Sequence, residues 1–177
     1  GTLVHNALEA WATGGEMPPL ANEAADAWAS LLALLGALEV EAIHAEVTVY
    51  GLTDDPATIY AGTCDLIADA TLPKRGRVRL ALDLKTNRGG AYPEAAYQLA
   101  AYRHASHLVN DRGDVVPMPG TDGAVVLHVR PGEANAVPVD TGDDAWAAFC
   151  ALRAVHHLTT GARRYVRAPL SLGGLTT

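Results

Sequence analysis

The sequence predicts one α+β domain, an α/β arrangement in which a central mixed β-sheet is flanked by helices. Three observations predict it. Apolar residues recur at i, i+3, i+4 and i+7 in Trp28, Leu31, Leu32 and Leu35, a helical stripe near the start of the chain. Further on, runs of alternating apolar residues are separated by Gly, Pro and Asp turns, and a second helical pattern interrupts them. With 177 residues, 49% of them hydrophobic and 19% charged, the chain is long enough and apolar enough to bury a core. A single domain over 1–177 is expected.

Residues 3–12 read as a helix with Leu3, Leu8 and Trp11 available to a core, ended by TGGEMPP at 13–19. A second helix runs from Asn22, a candidate N-cap, to Leu35, with Gly36 as its stop. Three strands follow. The first, 42–51, alternates through Ile43, Ala45, Val47 and Val49, and TDDPAT at 53–58 turns the chain. The second covers 59–70 and the third 77–86, joined by LPKRGR at 72–77. After NRGG a helix is expected over 93–109, with proline tolerated in its first turn, then a loop over 110–123. Strands at 124–129 and 136–139 form a hairpin around RPGEAN, and a last helix runs from Asp143 or Asp144 to Leu158. The order is α, α, β, β, β, α, β, β, α, and the tail at 168–177 carries weak structural signals.

No apolar run approaches the roughly 20 residues that cross a bilayer; the longest, Trp28–Leu38, is too short, so no membrane partner is expected. No secretory pattern opens the chain. The two cysteines, Cys64 and Cys150, do not make a disulfide framework, which points to a reducing cytoplasm. A net charge of −7 weighs against binding nucleic acid through phosphates alone. Local basic stretches exist at Lys74, Arg75, Arg77 and Arg79 and at Arg163, Arg164 and Arg167, each most simply solvated surface.

Chemistry collects at the tip of the third strand. Side chains on a strand alternate faces, so Arg79, Ala81, Asp83 and Lys85 share one face while Leu80, Leu82 and Leu84 share the other. An acid and an amine two residues apart on one face can act on a single bound atom; the competing reading is an edge-strand ion pair of little energetic weight. In the second strand Asp65 follows Gly62-Thr63-Cys64, and it converges on Asp83 if the two strands pair as a hairpin. Two carboxylates brought together repel unless one binds a proton or a cation joins them. Oxygen donors suit Mg²⁺ or Mn²⁺. Asp69 lies on the face of Asp65 but further along, and reads as solvated surface. Gln98 and Tyr102 are i and i+4 on the following helix, where they either reach a substrate or edge the core. His44, His104, His107, His128, His156 and His157 read as structural.

In this order these residues resemble the PD-(D/E)XK nuclease superfamily, in its RecB-like branch. G-x-x-x-H is matched by Gly1 to His5, and Glu46 is the candidate for the glutamate ahead of the first acid. G-x-x-D is matched by GTCD at 62–65, D-x-K-T by DLKT at 83–86, and Q-x-x-x-Y by QLAAY at 98–102. The resemblance covers residues 1–109 and implies a restriction-endonuclease-like core of order αβββαβ. It implies a Mg²⁺- or Mn²⁺-dependent deoxyribonuclease, an exonuclease hydrolysing DNA phosphodiesters in recombination, repair or phage DNA processing, in a bacterial or phage-infected cytoplasm. A structure-specific or nicking endonuclease and a catalytically silent DNA-binding module on the same fold are the alternatives. By this resemblance Asp65, Asp83 and the Leu84 carbonyl hold the metal, with His5 as a further ligand and Glu46 among the catalytic acids. Lys85 would orient or deprotonate the attacking water and offset charge in the transition state. Gln98 and Tyr102 would position the phosphate and the strand. Two cysteines cannot furnish the four-cysteine iron–sulfur cluster of one branch of these nucleases. No G-x-x-x-x-G-K-[ST] motif is present, so unwinding would need a helicase or recombination partner. The acidic balance points to modest DNA affinity or to an oligomeric assembly.

Overall fold

Two amphipathic helices lead into the sheet. In the computed structural model, which describes residues 2–52, 59–90, 92–110 and 112–160, α1 spans Thr2–Thr13 and α2 spans Glu23–Ala37. Helix α1 buries Val4, Ala7, Leu8 and Ala10, and α2 buries Ala27, Leu31 and Leu35, the stripes of helices lying on a core. Strands β1 (Glu41–Gly51), β2 (Tyr60–Leu72) and β3 (Gly76–Lys85) come next, then helix α3 (Pro93–Arg103). Strands β4 (His107–Val109), β5 (Val115–Pro117), β6 (Gly123–Arg130) and β7 (Glu133–Val139) follow, and α4 (Asp143–Thr159) closes the described chain.

The strands form one mixed sheet in the order β5-β4-β1-β2-β3-β6-β7, so the chain is α+β with its sheet flanked by helices. Neighbours are antiparallel except β3 and β6, whose parallel pairing requires the long crossover that carries α3. Under α1 and α2 lie Leu66, Ala68, Leu82, Leu84 and Leu127. On the opposite face Val49, Cys64, Ala81 and Val126 pack with Leu99 and Tyr102 of α3. Because β3 is central, Leu80 through Leu84 are all buried, and the acid at position 83 is buried with them.

Several local expectations give way to longer-range forces. The helix expected to reach residue 109 ends at Arg103. Ser106 takes over there: its N–H donates to the Tyr50 carbonyl at 3.0 Å and its hydroxyl accepts from Leu52 N at 2.9 Å. Those bonds draw residues 107–109 onto the edge of β1, where Leu108 pairs with Val49. The expected loop over 110–123 likewise contains β5, which pairs with β4 and extends the sheet past it. Gly36 does not stop α2. The left-handed turn falls on Glu39 (φ 48), with Glu39 N bonded to Gly36 O and Val40 N to Leu35 O, a Schellman closure without glycine. Asn22 stands at the N-cap position but its side chain makes no capping bond. Asp69 is not merely solvated: Arg79 Nε and Nη2 reach its two oxygens at 2.8 and 3.3 Å. Arg77 is tied to Glu41 and to the Glu39 carbonyl, so half of that basic stretch is paired. Gly1 of the first motif, the 53–58 turn, the arginines at 163, 164 and 167 and the tail lie outside the described residues.

Candidate active site

The strands β2 and β3 part where the polar residues begin. Their ladder runs from Leu72–Gly76 to Leu66–Leu82 and goes no further. The next pair in register would be Asp65 and Asp83. Instead, Asp65 Oδ2 accepts the backbone N–H of Leu84 at 2.7 Å, so a side chain satisfies the amide that a strand would otherwise have paired. Beyond the fork β3 is held by β6 alone, with Asp83 opposite Val126 and Lys85 opposite His128. The Leu84 side chain is fully buried among the leucines, so Leu84 can enter the site only through its backbone.

A matching break lies on the other side of β2. Ala45 and its partner Leu66 pack towards α1 and α2, whereas Val47 and its partner Cys64 pack towards α3. Alternation therefore reverses across Glu46 and Asp65, and Glu46 takes a left-handed backbone (φ 47) to do it. Such a backbone costs a non-glycine residue of order 1 kcal/mol or more and is concentrated at functional sites. The reversal departs from the regular alternation expected through Ile43 to Val49.

Around the fork the polar side chains form two sets of contacts, joined through the Leu84 amide that Asp65 holds. His5, on the face of α1 next to buried Val4, places Nε2 3.4 Å from Asp65 Oδ2. Lys85 Nζ donates to Asp83 Oδ1 at 2.9 Å and lies 2.7 Å from Oδ2. It also reaches Gln98 Oε1 at 3.5 Å, and Gln98 Nε2 donates to the Tyr102 hydroxyl at 2.6 Å. Gly62 lets Tyr102 in: a Cβ there would meet the tyrosine ring at 2.8 Å. Six residues read from the sequence, His5, Asp65, Asp83, Lys85, Gln98 and Tyr102, thus lie together at one end of the sheet. Glu46 lies close enough to Asp65 to feel its charge.

Burial and like charge set the electrostatics. Burial pushes the Asp83 carboxyl above the usual carboxylate range; the Lys85 bond pulls it back and the charge of Asp65 adds to the rise. Glu46 is raised by burial and then by Asp65, with His5 acting against both. Tyr102 is pushed up to about 12 by burial, so its phenol stays protonated and can donate. Among the described residues no three His, Cys, Asp or Glu side chains are drawn tightly enough together to hold an ion as they stand. The donor chemistry nonetheless suits a hard cation. Asp83 is 1% exposed, and its Oδ2, although close to Lys85, is a buried acceptor without a hydrogen bond. That oxygen already faces the Lys85 ammonium at 2.7 Å, so a cation bound there would share it with Lys85, a residue away from the amide that Asp65 holds.

Three of the remaining histidines have local roles. His104 bonds the Ala100 carbonyl and stacks on Trp146, His107 stacks on Tyr50, and His128 Nε2 contacts the Asn87 carbonyl. What sequence reasoning missed is the aromatic wall from β2 and α4: Tyr60, Trp146 and Phe149, with Arg153 over two of the rings. The signal was present as Trp146, Phe149 and Arg153 at i, i+3 and i+7 on α4. No protein-family model matches the chain, and no curated protein matches it either.

Proposed function

We propose that this protein is a Mg²⁺- or Mn²⁺-dependent deoxyribonuclease with a restriction-endonuclease-like core, an exonuclease acting on linear DNA. The observation that supports it best is the fork, where Asp65 turns from strand pairing to holding the Leu84 amide while Asp83 and Lys85 sit on the tip of β3, paired there with β6 alone. Residues of the right chemistry surround it in the order that the RecB-like nucleases show. A divalent ion held by Asp65 and Asp83, with His5 and the Leu84 carbonyl as further donors, would polarise the phosphoryl oxygen and acidify a water. Lys85 carries a cation to within 2.9 Å of Asp83 and 3.5 Å of Gln98, where it can stabilise negative charge growing on a phosphate or exchange a proton with the attacking water. Gln98 and Tyr102, locked to each other, orient what Lys85 meets. Glu46 adds negative charge beside Asp65 and raises the demand for a cation there.

Purified protein should degrade linear DNA with Mg²⁺ or Mn²⁺ and leave covalently closed circles intact, and Lys85→Ala should lower the rate by at least about 10²-fold. Cleavage of the circle would move the assignment to an endonuclease. Full activity in Lys85→Ala would sink the mechanism. One observation favours a second reading, a DNA-binding module without cleavage: the acidic side chains are not gathered on one point among the described residues. Calorimetry separates the two, because only a nuclease site should bind Mn²⁺ and lose it in Asp83→Ala.

A further inference from the structure

Gln98 and Glu94 are shared by two recesses that differ in character. On one side, a recess of about 330 Å³ is lined by Lys85, Asn87, Tyr92 and Gln98, so it adjoins the candidate site. On the other, a recess of about 480 Å³ is walled by Tyr60, Tyr97, Tyr102, Phe149 and Arg153. The hydroxyl of Tyr60 is already bonded to the Ala101 carbonyl at 2.8 Å, which leaves that side chain to act through its ring.

We infer that the aromatic recess receives an unpaired nucleobase of the substrate strand, next to the phosphate presented to Lys85, so that the protein acts on single-stranded or frayed ends. The inference rests on the nuclease reading and specifies its substrate. Its support is continuity: Gln98 and Tyr102 belong both to the site and to the recess, so a strand whose phosphate meets Gln98 has its base at the aromatic wall. The wall is mainly aromatic and apolar rather than an array of hydrogen-bonding groups, which suits stacking and not the reading of base edges. Inside a duplex the bases present only edges, because their faces are stacked on their neighbours, so a base must leave the stack and its partner to enter the recess. Arg153 lies over the Tyr60 and Phe149 rings, 5.7 and 5.8 Å from their centres, so a base reaching that part of the wall would meet its planar guanidinium. Stacking also suits a chain of net charge −7, which cannot rely on phosphate contacts alone.

The test uses Asp83→Asn protein and a DNA strand carrying 5-iodouracil at successive positions, offered single-stranded or as a blunt duplex, with cross-links mapped by mass spectrometry. Cross-links at Tyr97 or Phe149, several-fold stronger for the single strand, are expected. Phe149→Leu, which keeps an apolar side chain but removes the ring, should weaken single-strand binding about 5- to 100-fold, with circular dichroism checking the fold. Cross-links elsewhere, equal labelling of the blunt duplex, or unchanged affinity in folded Phe149→Leu would overturn the inference. Wild-type cleavage measured in parallel keeps the two readings apart. Cleavage without these cross-links defeats the recess alone, and cross-links without cleavage defeat the nuclease alone.

Discussion

Asp83 and Glu46 are acids held where a negative charge is expensive. Burial and the charge of Asp65 raise both above the usual carboxylate range. A carboxyl whose folded pKa is raised destabilises the fold in its ionised form. That penalty is absent below the unfolded pKa and complete above the folded one, so the metal-free protein should lose stability as pH rises through this range. A divalent cation prefers the ionised acids and acts with the opposite sign. The thermal shift produced by Mn²⁺ should therefore be larger near pH 8 than near pH 5. Asp83→Asn should abolish that difference, and a shift independent of pH would refute the assignment of these acids to a cation. Asp83, Lys85, Gln98 and Tyr102 were legible in the sequence because strand and helix periods place them on shared faces. The left-handed backbone at Glu46 was not, since nothing in a glutamate announces a positive φ.

Elements long enough to show a period, such as α1, α2, β3 and β6, lie close to where their apolar patterns place them. The three-residue strands β4 and β5 do not, because three residues carry no usable period and the decision falls to bonds that Ser106 makes with residues more than 50 positions away. The end of α3 was misjudged for the same reason. Helix α4 differs from the others in having no buried residue, and it shows Leu152, Val155 and Leu158 on its outside. Aromatic contacts, chiefly Trp146 on His104 with ring centres 4.4 Å apart, are what fasten it to α3. Its amides should exchange with solvent well before those of β2 and β3, as expected for a weakly docked element. Hydrogen exchange read by mass spectrometry decides this; equal protection of α4 and β3 would show that the helix is held by more than its aromatic seam.

At the scale of the molecule, a mixed sheet buried on both faces gives a rigid floor, and the candidate site lies where that floor splits. Every candidate residue lies within the first 102 positions, so the site looks local when read along the chain. The pairing of β3 says otherwise. Past Leu82 its hydrogen-bonding partner is β6, at Gly123–Arg130, and the Asp65 side chain satisfies only the amide of Leu84 on the other edge. Candidate motifs and the scaffold that aims them are thus encoded in different parts of the polypeptide. A fragment covering 1–110 would hold all the reactive groups and none of the strand that keeps them in line. It should neither bind Mn²⁺ nor cleave, whereas adding residues 111–160 in trans should restore both if β6 can still dock. During synthesis the same dependence means that the reactive tip is assembled only after β6 has left the ribosome, long after its own residues have been made.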